Sequence, residues 1–155
     1  MPSRTSADYK ETLVLFICTG NFYRSRHAEA IFNWHALEKG LTARAFSRGL
    51  LTSIVADEPT LISTDTHERL TTLGIPLEFT GRAPVQLQVD DLQKAHHIIA
   101  LKKDEHYEMM QSSHPEWADK IHYWHFHDID FEEPETVLPK IEDEVRNLVN
   151  KIKLR

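Results

Sequence analysis

The sequence predicts a single α/β domain built around a doubly wound parallel sheet. Short continuous apolar runs alternate with stretches whose apolar residues recur at helical spacing. This is the order expected of strand and helix units joined by right-handed crossovers. The 155 residues fit one hydrophobic core, and no repeat, linker or low-complexity segment divides them.

Four segments are the strand candidates. Residues 13–17 (LVLFI) and 97–101 (HIIAL) are continuous apolar runs, typical of parallel strands that are covered on both faces. Residues 43–47 (ARAFS) and 121–126 (IHYWHF) are weaker candidates. Together they predict a sheet of four strands.

About five helices are expected around this sheet. The first follows Ser25, where apolar residues recur on one stripe. Another is predicted to be capped by Ser63 and closed by Gly74, and a third to begin at Asp104.

The last helix has the clearest pattern. Apolar residues recur at helical spacing from Leu138 to Ile152. Pro139 is expected in its first turn, where proline is tolerated.

Composition limits the class of protein. Hydrophobic residues make up 41% of the chain and charged residues 27%, as in ordinary globular proteins. No apolar run approaches the roughly 18 residues that cross a bilayer. Residues 1–11 are predicted to be a flexible segment before a domain that spans residues 12–155, and they lack the apolar core of a signal peptide. We therefore expect a cytoplasmic protein with no membrane partner.

The charge is distributed unevenly. The net charge of -6 argues against binding to nucleic acid. Residues 22–50, however, contain five basic and two acidic side chains. A local basic region in an acidic protein fits a small anionic ligand, although a solvated helix face would show the same pattern.

The single cysteine, Cys18, lies where the first strand is predicted to end and a helix to begin. One cysteine can form no internal disulfide and no four-cysteine zinc site. A loop that enters a helix N-terminus directs several backbone N–H groups at one spot and binds an oxyanion there. The same groups stabilise a thiolate, so Cys18 is expected to be nucleophilic at neutral pH, although a buried inert thiol is the common alternative.

Polar residues at fixed distances from Cys18 support the nucleophilic interpretation. Arg24 can bind two phosphate oxygens with its planar guanidinium, and the Ser25 hydroxyl can hydrogen-bond the sulfur. Asn21 tolerates a left-handed backbone conformation. The other loop residues expected to bind or support phosphate are Thr19, Gly20, Phe22 and Tyr23. The loop lacks the second glycine and the lysine of the nucleotide-binding pattern GxxxxGK[ST]. Together these features predict attack of Cys18 on phosphorus to form a cysteinyl-phosphate, which water then hydrolyses.

The segment VLFICTGNFYRSRHAEA resembles the N-terminal signature of the low-molecular-weight protein tyrosine phosphatases. That signature has the form C-x-G-N-x-C-R-S and is followed by a helix containing A-E. The matching residues are Cys18, Gly20, Asn21, Arg24, Ser25, Ala28 and Glu29. Weaker likeness continues through residues 47–50, 73–76 and 91–106. The resemblance implies a four-stranded parallel sheet of flavodoxin-like topology, with helices on its flanks.

The resemblance also implies a reaction and its reactants. The substrate would be a phosphorylated protein or a small aryl phosphate, the product inorganic phosphate, and neither a cofactor nor a metal would take part. An aspartate from a late loop would protonate the leaving oxygen and then, as a carboxylate, activate water. We assign this role to Asp128, with Asp130 as the alternative.

Several positions depart from the family pattern. Tyr23 stands where many relatives have a second loop cysteine, and Phe22 suits an aryl phosphate better than phosphoarginine. Arg26 replaces a proline and is expected to add positive charge at the pocket mouth. Lys102 stands where many relatives have an aspartate, so the supporting network is expected to differ. Ile129 replaces the proline that follows the acid.

Two further functions remain open. An arsenate reductase on this scaffold would need an external thiol, because the chain has one cysteine. An oxyanion-binding regulatory module without turnover would belong to a different class. His122, His125 and His127 could hold zinc, but such histidines more often pack or cap.

Overall fold

A computed structural model of the protein describes residues 11–154. The predicted flexible segment 1–11 lies outside these residues, except for Glu11. Within the described part, no helix is both long and apolar enough to span a membrane.

In the described part of the chain, four parallel strands form one sheet in the order β2-β1-β3-β4. Their bounds are Thr12–Cys18 (β1), Ala43–Gly49 (β2), His97–Ala100 (β3) and His122–Tyr123 (β4). This confirms the predicted fold class, an α/β domain with a four-stranded parallel sheet.

Within residues 11–154, five α-helices flank the sheet. They are Arg24–Glu38 (α1), Thr64–Leu73 (α2), Val89–Lys94 (α3), Lys103–Ser113 (α4) and Pro134–Lys153 (α5). Two short 3₁₀ helices, Thr52–Val55 and Leu77–Phe79, lie in the connections after β2 and α2.

The central strand β1 is buried on both faces because its alternate side chains enter two different cores. Phe16 packs in a core that includes Ile31 of α1 and Val145 of α5. Ile17, the next residue, packs with Leu92 of α3 and Met110 of α4. Successive strand side chains point to opposite faces, so a strand between two layers must be apolar throughout.

Helix α2 has the predicted ends. The Ser63 hydroxyl accepts a hydrogen bond from the Asp65 N–H at 3.2 Å, which satisfies one free donor of the first turn. Gly74 ends the helix in a left-handed conformation with φ 74°, which glycine adopts without steric cost.

The position expected for Pro139 was wrong. Helix α5 begins at Pro134, so Pro139 lies inside the helix and not in its first turn. Pro134 takes the first helical position instead, where the missing N–H has no intrahelical partner to lose.

Strand β4 is shorter than residues 121–126. Beyond Tyr123 the chain still bonds to the segment that follows β3, since the Phe126 N–H donates to the Leu101 carbonyl at 2.8 Å. These bonds carry the following loop toward the carboxyl end of β1, where the candidate site lies.

Candidate functional site

The loop from Cys18 to Ser25 connects β1 to α1 and forms the floor of a pocket of about 500 Å³. Cys18 ends β1 and is 3% exposed. Asn21 has a φ of 54°, in the left-handed region that asparagine tolerates better than most residues. The expected backbone conformation is therefore present, and it turns the chain from the strand into the helix.

Gly49, at the end of β2, lies directly behind this loop. A Cβ atom there would lie 2.9 Å from the Asn21 nitrogen and 2.9 Å from the Thr19 oxygen. Only glycine allows the two backbone segments to approach so closely. The loop is thus supported from the neighbouring strand.

The buried Asn21 amide uses all of its hydrogen-bonding capacity. Its Nδ2 donates to Ser25 Oγ and to Ser47 Oγ, each at 2.9 Å. Its Oδ1 accepts from the Val85 N–H at 2.9 Å and from Arg82 Nη1 at 3.2 Å. Two donors and two acceptor sites are the whole capacity of an amide. Asn21 therefore joins the loop to β2 and to the segment before α3.

Ser25 lies between this amide and the cysteine. Its Oγ is 2.9 Å from Cys18 Sγ and accepts a hydrogen bond from Asn21. A thiolate has no proton, so in that state the Ser25 hydroxyl donates to the sulfur. The arrangement stabilises negative charge on Cys18.

Arg24 is 2% exposed and is held by three hydrogen bonds to two groups. Its Nη2 donates to Glu105 Oε2 at 2.7 Å, and its Nη1 donates to Glu105 Oε1 at 3.2 Å and to the Phe126 carbonyl at 3.0 Å. Burial opposes its charge, but the hydrogen bond to Glu105 raises the pKa of Arg24 above its ordinary value. The guanidinium in the pocket floor is therefore charged and fixed in orientation.

Glu105 and His106 were not assigned a role by the sequence. His106 accepts the Lys102 N–H at Nδ1 (3.0 Å), so its neutral ring carries the proton on Nε2 and donates toward Glu105 Oε2 at 3.0 Å. Thr19 Oγ1 also donates to Glu105. Burial would raise the pKa of Glu105, but the hydrogen bonds from His106 and Arg24 bring it well below its usual range.

The carboxylate that pairs with Arg24 is that of Glu105, three residues after Lys102. The expectation that the supporting network differs from that of relatives at Lys102 stays a prediction. The position of Glu105 near Arg24 could have been predicted from the topology, because α4 starts at the carboxyl end of β3, beside the end of β1.

A second network supports the loop from the β2 side. Arg82 Nη2 donates to Glu29 Oε1 at 2.9 Å and to the Ser47 carbonyl at 2.8 Å. Ser47 Oγ donates to Glu29 as well as accepting from Asn21. The sequence singled out Glu29 only as a match to the family pattern, and Arg82 was missed.

The expectation for Arg26 was wrong. Its side chain is fully buried and does not line the pocket. Its guanidinium donates to the backbone carbonyls of Asn21, Leu61, Thr80 and Arg82. Buried carbonyl groups need donors, and this arginine supplies them to three separate segments. Burial and the nearby Arg82 lower the pKa of Arg26 to about 10.

The two candidate acids lie in different places. Asp128 lines the pocket, and its Oδ2 is 3.6 Å from Arg24 Nη2. Its Oδ1 accepts the Ile129 N–H at 2.9 Å. Asp130 is exposed and is not among the residues that line the pocket.

Most of the predicted site residues meet in this pocket. Cys18, Thr19, Gly20, Phe22, Tyr23, Arg24 and Asp128 line it. Asn21 and Ser25 are buried behind the loop. No group of three or more His, Cys, Asp or Glu side chains among residues 11–154 is arranged to hold a metal ion.

A family profile and a solved structure each match nearly the whole chain. The family profile "Low molecular weight phosphotyrosine protein phosphatase" matches residues 13–155. Among solved structures, the low molecular weight protein tyrosine phosphatase from T. tengcongensis is 30% identical with a TM-score of 0.71, and the match covers 92% of this chain and 97% of that chain. Comparison with curated proteins gave no significant match.

Two more distant structures share the fold. One is the YwlE arginine phosphatase, known from Bacillus subtilis, in a variant with a phosphorylated active-site serine (21% identity, TM-score 0.76, 92% of this chain and 96% of that chain). The other is a thioredoxin-dependent arsenate reductase of Corynebacterium glutamicum (21% identity, TM-score 0.65, 93% of this chain and 63% of that chain). At these identities the likeness concerns the fold alone. Because the family profile extends from β1 through α5, the chain belongs to the low molecular weight phosphotyrosine protein phosphatase family.

Proposed function

We propose that this protein hydrolyses phosphate monoesters through a cysteinyl-phosphate on Cys18. Its family is one of phosphatases, for which a phosphorylated substrate and a phosphate product follow. The observation that carries the mechanism is the position of Cys18 Sγ in the pocket floor, 2.9 Å from a serine hydroxyl, in the same pocket as the fixed guanidinium of Arg24.

In the first step the Cys18 thiolate attacks phosphorus. An S–P bond forms while the P–O bond to the leaving group breaks. Arg24 binds two non-bridging oxygens and stabilises the charge that they carry in the transition state. Asp128 protonates the leaving oxygen. Its place beside Arg24 in the pocket wall supports this role over Asp130.

In the second step water attacks the cysteinyl-phosphate. The Asp128 carboxylate takes a proton from the water, and the S–P bond breaks to release inorganic phosphate and the thiolate. The Ser25 hydroxyl stabilises the departing sulfur by a hydrogen bond. No cofactor or metal takes part in these steps.

The preferred leaving group in this proposal is aromatic, as in phosphotyrosine. Phe22, Ile54, Val55 and Ile129 supply apolar surface to the pocket walls, and an aryl ring would bury its faces against them. The proposed location is the cytoplasm, where a nucleophilic thiol stays reduced.

The direct test is hydrolysis of p-nitrophenyl phosphate by three variants. Cys18→Ser should abolish turnover, and Asp128→Asn should lower kcat by about 10²- to 10⁴-fold. Asp130→Asn is the matched control and should retain nearly full activity. Loss of activity in Asp130→Asn alone would exchange the roles of the two aspartates. Full activity in Cys18→Ser would refute the mechanism.

Arsenate reduction is the second candidate, supported by the likeness to the thioredoxin-dependent enzyme. With one cysteine, the chain would need an external thiol to complete the electron transfer. Arsenate-dependent oxidation of added thioredoxin, without phosphatase turnover, would favour this function. Phosphate binding with neither reaction would indicate an oxyanion-binding regulatory module.

A further inference from the structure

The pocket has opposite charges at its floor and its walls. Arg24 is the one basic side chain among the described residues that line it. Three carboxylates line the same pocket, namely Glu58, Asp65 and Asp128. Glu58 follows the 3₁₀ helix Thr52–Val55, and Asp65 lies in the first turn of α2. A phosphate bound at Arg24 would therefore share the pocket with carboxylates and with no second basic side chain of the described residues. Glu58 and Asp65 form the acidic wall of this pocket.

Glu58 and Asp65 differ from the other carboxylates near the site. Glu29 and Glu105 are each paired with an arginine. Within residues 11–154, neither Glu58 nor Asp65 forms an ion pair. Their charges are available to a ligand.

Tyr23 brings an unpaired hydroxyl to the residues that line this pocket. The residue lines the pocket and is 7% exposed. Its hydroxyl is buried and has no hydrogen-bond partner among residues 11–154. An unsatisfied buried hydroxyl is costly, and the described residues supply it no partner.

The pocket mouth also carries exposed apolar side chains. Ile54 and Ile129 line the pocket and are 57% and 49% exposed. Phe131, two residues beyond Ile129, is 73% exposed. Exposed apolar surface beside a catalytic pocket favours a ligand that extends beyond the phosphorylated side chain.

We propose, building on the phosphatase function above, that the preferred substrates are phosphotyrosine peptide segments with lysine or arginine next to the phosphorylated residue. The basic side chain would pair with Glu58 or Asp65 while the phosphate binds at Arg24. An acidic flanking residue would be repelled by the same carboxylates, because like charges at a partly desolvated surface interact over several ångströms. The wall thus selects the sequence around the phosphotyrosine.

The experiment compares three phosphotyrosine peptides that differ only in the two flanking residues, which are lysine, alanine or glutamate. We expect kcat/KM to follow the order lysine, alanine, glutamate, with about a tenfold difference between the extremes, since surface ion pairs are individually weak. The ratio should fall toward one as salt is raised, because salt screens exposed charges. Hydrolysis of p-nitrophenyl phosphate, which has no flanking residues, tests the phosphatase function separately.

Charge variants test whether Glu58 and Asp65 produce the preference for basic peptides. In Glu58→Gln/Asp65→Asn the lysine-to-glutamate ratio of kcat/KM should fall close to one. The control Glu78→Gln/Glu116→Gln removes two carboxylates from outside the pocket and should retain the ratio. Because each variant is compared with itself on two peptides, a partial loss of folded protein cancels.

The outcomes separate the two proposals. If p-nitrophenyl phosphate is hydrolysed but the peptides are turned over equally, or if the double variant keeps the ratio, the specificity proposal is wrong and the phosphatase function stands. If phosphocholine is a better substrate than the lysine peptide, the wall selects a small cationic ester and the peptide assignment is overturned. If none of these compounds is hydrolysed, both proposals fail.

Discussion

Glu105 binds both terminal nitrogens of Arg24, with Nη2–Oε2 at 2.7 Å and Nη1–Oε1 at 3.2 Å. The two residues come from the N-terminal turns of different helices, α4 and α1, which start beside neighbouring strands. This pair sets the orientation of the guanidinium that faces the pocket.

Glu105→Gln should lower kcat/KM for p-nitrophenyl phosphate by roughly ten- to a hundredfold. The variant keeps the shape of the side chain but replaces a charged acceptor of Arg24 by a neutral one, which weakens a charge-assisted bidentate pair. The inhibition constant of inorganic phosphate should rise as well. Asp104→Asn, the exposed neighbouring residue, is the control and should behave as wild type. An equal loss in both variants would contradict the role of Glu105 as a positioning residue.

Two substitutions of Asn21 should separate backbone strain from hydrogen bonding. Asn21→Ala and Asn21→Gly both remove the amide that contacts Ser25 and Ser47, so both should lose kcat by similar factors. At a φ of 54° alanine is strained and glycine is not, so Asn21→Ala should be less stable by about 1 kcal/mol. Urea unfolding measures the difference. Equal stability of the two variants would show that the loop relaxes.

Acid should remove a stabilising contribution of Glu142. Burial would raise its pKa, but hydrogen bonds from Arg69, at 2.8 Å to each carboxylate oxygen, and from His27 lower the pKa of Glu142 to about 2. A carboxyl with a lowered pKa stabilises the folded state above its unfolded value near 4.5, and this contribution is lost as the pH falls toward 2. This lowering of the pKa corresponds to a contribution of about 3 kcal/mol to the free energy of unfolding at neutral pH.

The free energy of unfolding of Glu142→Gln, compared with wild type from pH 7 to pH 2, checks this expectation. The difference should be greatest above about pH 5 and should shrink as the solution is acidified. Glu144→Gln is the matched control, since Glu144 forms no ion pair within residues 11–154, and it should show no such trend. A difference that grows on acidification would contradict the expected direction of the pH dependence.

Peroxide should inactivate the protein beyond recovery by dithiothreitol. Cys18 is the only cysteine, so its sulfenic acid has no second loop thiol to form a protective disulfide and proceeds to the sulfinic acid. Mass spectrometry should find two added oxygens on the peptide that contains Cys18. Tyr23→Cys supplies the thiol that many relatives have there, and this variant should recover more fully. Complete recovery of wild type would contradict the prediction.

Much of the fold could be predicted from the sequence because its signals are local. The continuous apolar runs of β1 and β3 and the end of α2 at Gly74 depend on residues within a few positions of one another. The candidate nucleophile and arginine were also predictable, since the spacing from Cys18 to Arg24 lies in one loop. Their catalytic roles, and that of Asp128, remain predictions for the assays described above.

The supports of the loop were not predictable in the same way. Arg26 was expected at the pocket mouth, but it lies buried among carbonyls that include those of Leu61 and Thr80, 35 and 54 residues away. Glu105 reaches Arg24 across 81 residues. No local sequence pattern predicts which distant residue a long polar side chain will contact.

The amino-acid order by itself determined the alternation of strands and helices, and it placed a single thiol in the loop that leads to a helix N-terminus. It could do so because propensity, apolar spacing and turn chemistry act between near neighbours. Only the tertiary structure decided which carboxylate orients Arg24, where Arg26 lies, and that Asp128 and not Asp130 lines the pocket. Those choices depend on how the carboxyl ends of parallel strands bring distant segments together, and on the cost of leaving any buried polar group without a partner.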